Sequence, residues 1–87
     1  MNFSITEENY IKAIFHLQQD DGNVSTNALA AELHTKPASV TDMLKKLKLK
    51  KLLSYEKYQG ARLSIEGKKL ALAIVRKHRL WEYFLVD

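Results

Sequence analysis

Pro37 opens the segment that most narrows what this chain can become. Proline lacks a backbone N–H and has a fixed φ, so it suits the first turn of a helix and ends whatever precedes it. His34-Thr35-Lys36-Pro37 therefore reads as a break followed by a helix start. At about 100° per residue, Val40, Met43, Leu44 and Leu47 form one apolar stripe, and Ala38, Thr41, Asp42, Lys45 and Lys46 fall on the other side. A small residue, hydroxyls at Ser39 and Thr41, and lysines a turn later make a face shaped for close approach.

The flanking pattern predicts the rest of the architecture. Ser4 or Thr6 can cap a first helix, and Ser4 with Glu7 has capping-box spacing. Tyr10, Ile11, Ile14, Phe15 and Leu17 recur at helical spacing and are expected to face a core, until Asp20-Asp21-Gly22-Asn23 ends the helix. Val24 suits a short strand, and Ser25 an N-cap for a helix from Thr26 to Leu33 that buries Ala28, Leu29 and Leu33. Leu52 to Lys57 and Arg62 to Ile65 read as two strands joined by a turn at Tyr58-Gln59-Gly60-Ala61. Ser64 can cap a last helix running from Ile65 or Glu66 to the end, with Leu70, Ala73, Ile74, Leu80, Trp81, Phe84 and Leu85 at its apolar positions. The expected fold is mainly α with a small β-hairpin: a winged helix-turn-helix over residues 1–65, then a long C-terminal helix over 66–87.

Charge narrows the function. The net charge of +4 is uneven: residues 36–51 hold six lysines against Asp42 alone, whereas residues 1–21 set Lys12 against four acids. A basic block on one element reads as a footprint for a polyanion, with a solvated lysine-rich face as the plainer alternative. In a winged helix the second helix of the pair enters the major groove, and the hairpin offers Lys57, Tyr58, Gln59 and Arg62 to the flanking backbone or minor groove. With no cysteine, the 87 residues allow no disulfide, thiolate zinc site or cysteine nucleophile, which fits a reducing cytoplasm. No apolar run approaches the roughly 18 residues of a membrane span. There is no nucleophile–base pair, carboxylate dyad or phosphate loop, so no enzymatic role is expected.

Four stretches in order carry a resemblance: Glu8-Asn9-Tyr10-Ile11, Ser39-Val40-Thr41, Tyr55-Glu56-Lys57-Tyr58-Gln59-Gly60 and Arg76-Lys77-His78-Arg79-Leu80. Together they resemble the iron/manganese-dependent repressor family, which includes the diphtheria toxin repressor and the manganese transport regulator. The resemblance implies a homodimeric repressor that binds a palindromic operator in double-stranded DNA when loaded with Mn²⁺ or Fe²⁺. It places Lys36, Ala38, Ser39 and Asp42 at base edges and Thr41, Lys45 and Lys46 at phosphates. It also implies that residues 66–87 are the first helix of a dimerisation and metal-binding domain, with His78 and Glu82 as metal ligands on one side of it. The first helix departs from the family pattern: Asn9 stands where an Asp or Met ligand is found and is a third candidate ligand through its uncharged amide oxygen, whereas Lys12, where the manganese type has Glu, brings a positive charge towards the ion. A regulator without metal control, and a protein-interaction module docking through Trp81, Tyr83, Phe84 and Leu85, are the alternatives. The family continues past the long helix, so a further helix carrying ligands and dimer interface is expected beyond Asp87.

Smaller expectations complete the reading. Glu7 and Glu8 are explained by a solvated helix N-terminus, and His16 and His34 as surface or half-buried residues. Leu49 is apolar on the groove-facing side, and is expected to pack beneath the wing after the helix ends rather than to contact DNA. Lys51, where iron-type members carry Gly, costs on the order of 1 kcal/mol if its backbone is left-handed.

Overall fold

A computed structural model describes residues 3–18, 22–56 and 59–86, with side chains described as far as Lys77. The order is α1 (Ile5–Leu17), α2 (Thr26–Leu33), α3 (Pro37–Leu49), β1 (Leu53–Glu56), β2 (Gly60–Leu63) and α4 (Ile65–Val86). This is the expected winged helix-turn-helix with a long last helix.

Three of the four helices start from a serine cap. The Ser4 hydroxyl accepts from the Glu7 N–H while the Glu7 carboxylate accepts from the Ser4 N–H, a complete capping box. Ser25 accepts from the Ala28 N–H, and Ser64 accepts from the Gly67 N–H. Ile11, Ile14, Leu29, Val40, Leu44 and Leu47 are fully buried where α1, α2 and α3 meet. α1 also packs on α4, and α3 on β1.

β1 and β2 are antiparallel, pairing Leu53 with Leu63 and Tyr55 with Ala61. Val24 adds a bridge to Ala61 through two backbone bonds of 2.7 and 2.8 Å, the short strand expected there. Gly60 makes that bridge possible: its φ is 92°, and a Cβ would lie 2.4 Å from the Val24 carbonyl oxygen. At the root of the hairpin the Gln18 side-chain oxygen accepts from the Leu63 N–H at 2.7 Å.

Several sequence expectations are corrected. β1 begins one residue later than read, because Leu52 leaves α3 through a turn closed on the Leu47 carbonyl, and β2 is four residues long as read but lies two residues earlier, taking in Gly60 and Ala61, because Ser64 already caps α4. Ala28 is exposed, since it falls outside the Leu29–Ala30–Leu33 side of α2. Ala73 is exposed for a like reason, opposite Gly67, Ala71 and Ile74. Leu17 lies on the α1 stripe but at its last residue, and is exposed there. Leu49 does not pack beneath the wing: it belongs to α3 and is 84% exposed. Glu7 is the largest departure, a buried carboxylate rather than a solvated one. The left-handed backbone conditionally expected at Lys51 is present, with φ 63°.

Candidate nucleic-acid interface

The turn between α2 and α3 is three residues long. His34 adopts the left-handed conformation at φ 54° and closes α2, its N–H reaching the Ala31 carbonyl, while the Thr35 N–H bonds the Ala30 carbonyl at 3.0 Å. Beneath the turn Tyr10 is buried; burial pushes its phenol up, and a hydrogen bond with Thr35 pulls the other way.

α3 then starts without a side-chain cap, from Lys36 in extended backbone with Pro37 following. Its two sides are sharply unlike. Val40, Leu44 and Leu47 are fully buried, whereas Ala38, Ser39, Asp42, Lys45, Lys46 and Leu49 are exposed. Half-buried Thr41 donates its hydroxyl proton to the Pro37 carbonyl at 3.1 Å, leaving only acceptor capacity outward. Among the described residues no lysine pairs with Asp42.

The lysines of the basic block do different things. Lys46 is 57% exposed, and Lys36, Lys45 and Lys51 are also exposed. Lys48 donates to the Tyr55 carbonyl at 3.2 Å and so fastens α3 to the hairpin. Lys50 donates to Glu7 at 2.6 Å and lies 5.0 Å from the centre of the Phe3 ring. Lys50 is the main reason the Glu7 carboxyl is lowered to about 2; the Ser4 bonds add to that, and desolvation opposes it. The capping role of Glu7 is legible in sequence, but its pairing with Lys50 is not, because the two lie 43 residues apart.

Arg62 is exposed on β2 opposite Ser54, on the outer side of the hairpin. Lys57 and Tyr58 lie outside the described residues, as do the side chains of His78, Glu82, Trp81, Tyr83, Phe84 and Leu85. On α1, exposed Asn9 and half-buried Lys12 line a shallow groove with Ala13, His16, Glu32 and Leu33. There Asn9 offers a divalent cation only an uncharged amide oxygen, and the ammonium of Lys12 opposes any such ion placed beside it. Among the described residues no three His, Asp or Glu converge to hold a metal. No helix among them is long and apolar enough to cross a membrane.

Comparison with known proteins agrees with this geometry. Residues 2–61 match the iron dependent repressor N-terminal DNA-binding domain, and residues 64–87 match the metal binding and dimerisation domain of the same family. The chain belongs to the iron-dependent repressor family. Relatives in this family include the HTH-type transcriptional regulator MntR of Oceanobacillus iheyensis, 41% identical over 78 residues, covering 90% of this chain and 53% of that protein. MntR of Bacillus subtilis is 40% identical over 78 residues, covering 90% of the chain and 55% of the relative. The chain thus spans about half the length of the relatives it matches. Among solved structures, ScaR with bound Zn²⁺ superposes with a TM-score of 0.75 at 36% identity, over 92% of this chain and 37% of ScaR. The S. aureus MepR–DNA complex gives 0.78 at 22% identity, over 97% and 63%, a likeness of fold.

Proposed function

We propose that this chain is the DNA-reading part of a homodimeric transcriptional repressor that answers to a divalent metal. The observation that carries the reading is α3 itself, apolar and fully buried along Val40, Leu44 and Leu47, yet open along Ala38, Ser39, Asp42, Lys45 and Lys46. Residues 1–65 form the DNA-binding unit, and 66–87 supply the first helix of the metal-binding and dimerisation unit.

On this reading α3 enters the major groove by its N-terminal end. Ala38 meets a thymine methyl, and Ser39 and Lys36 read base edges. Asp42 tolerates the groove only by accepting from a cytosine amino group, because phosphates repel it. Lys45, Lys46 and, through its exposed position, Arg62 meet phosphates; Lys57 and Tyr58 are assigned there from sequence alone. Thr41 contributes less than the lysines, since its proton is held by Pro37. The uncapped start of α3 adds unopposed N–H groups and the positive end of the helix dipole.

Mn²⁺ or Fe²⁺ is the effector that the family match supports, with His78 and Glu82 as the ligands this chain would supply. When bound, the ion would draw anionic and imidazole donors into one arrangement. Asn9 and Lys12 favour a second reading, a repressor of the same family whose DNA binding no longer needs metal.

Fluorescence anisotropy separates the two. The probe is a palindromic duplex selected from a random library, read with chelator and then with Mn²⁺ or Fe²⁺. Tighter binding with metal supports the first reading. Tight binding unchanged by chelator leaves the second, and salt-insensitive failure to bind any duplex removes both.

A further inference from the structure

We infer that Glu7 is a positioning residue for α3, and that the first turn of α1 fastens the DNA-reading helix to α4. The inference rests on the DNA-binding reading, although Glu7 itself faces inward with its side chain 6% exposed.

The two oxygens of Glu7 serve different partners. Oε1 accepts from the Ser4 N–H at 3.1 Å and holds the cap. Oε2 accepts from Lys50 Nζ at 2.6 Å and lies 3.9 Å from Lys46 Nζ. The end of α3 is thereby joined to the beginning of α1. Glu8, the next residue, accepts from Lys77 Nζ with both oxygens at 2.8 Å, joining the same turn to α4. Successive helical residues point about 100° apart, so the two carboxylates serve different neighbours.

Val40, Leu44 and Leu47 hold α3 against the core, and the hydrophobic driving force for that burial is itself non-directional. A buried charge-assisted hydrogen bond is directional and short. Lys50 supplies that constraint at the end of α3, with Lys46 farther off at the edge of ion-pair reach of the same oxygen. The tilt of α3 therefore depends on α1, and through Lys77 on α4.

Glu7→Gln tests this in the intact protein. The amide oxygen can keep the Ser4 cap, since capping boxes accept Gln, but the NH₂ group now opposes Lys50. Anisotropy compares the duplex selected from a random library with a scrambled duplex of equal length. The variant is expected to lose about tenfold on the selected duplex and less than about twofold on the scrambled one, with the salt slope unchanged because no phosphate contact goes. Lys77→Gln is expected to act the same way but only about twofold, as an exposed pair, and exchanging the charges (Glu8→Lys with Lys77→Glu) to restore binding. A residue that only stabilised the fold would lower both affinities alike through the folded fraction. Equal losses on the two duplexes, or none, overturn the inference while the DNA reading stands. If no duplex can be selected, the DNA reading fails and hydrogen exchange decides the fastening. Faster exchange at residues 44–49 in both variants supports it, and unchanged rates overturn it.

Discussion

α1 and α3 are the same length, 13 residues, and share one core, yet they begin in opposite ways. The first turn of α1 is satisfied from within the chain: Ser4 and Glu7 take each other's N–H groups, and two acids sit where the helix dipole favours them. α3 begins with a lysine and a proline, has no acid in its first turn and no side-chain cap. Ala38 and Ser39 there are small and exposed. One helix end is closed electrically from within and the other is not. The difference separates a helix that holds the protein together from one that is presented to a partner.

The sharpest test of that contrast lies within α3. Leu44→Ala should destabilise the fold by about 2–5 kcal/mol in denaturant melts, whereas Leu49→Ala should stay within about 0.5 kcal/mol. Similar losses at both positions would mean that the outer face is not free. Next, replacing Lys45 and Lys46 by Ala together should weaken every duplex alike and lower the slope of log K against log salt by about 2, leaving the melting temperature nearly unchanged. A loss confined to one DNA sequence would instead make them base readers.

The α1 side of the comparison is tested by acid. The Glu7 carboxyl is depressed from 4.5 to about 2, so its contribution is full above pH 4.5 and fades as pH falls toward 2. Allowing for solvent at the partly exposed Lys50, the contribution is roughly 2 kcal/mol. Stability measured against pH should therefore fall less steeply across that window in Glu7→Gln than in the parent. Parallel curves would show that Glu7 carries no such stabilisation. The smallest effect is expected at Lys51, where φ is 63°. Lys51→Gly should change stability by no more than about 1 kcal/mol, in the favourable direction.

The fold was legible because its signals are local. Ser4 with Glu7, Ser25, Pro37 and Ser64 mark helix starts within a few residues of themselves, and Val40, Leu44 and Leu47 repeat at the helical period. The outer face of α3 was legible for the same reason. What stayed hidden depends on distance in sequence. Nothing near Glu7 announces Lys50, and nothing in the lysine run says that Lys48 turns to the Tyr55 carbonyl while Lys45 stays open. Leu49 escapes the expectation that an apolar residue finds cover because it sits one turn after Lys45, on the outward side of α3.

The contact between Gln18 and Leu63 has a consequence of its own. It anchors the hairpin with an uncharged amide, so neither protons nor dissolved ions loosen it. Salt strong enough to screen the exposed lysines would leave the wing's root seated as before.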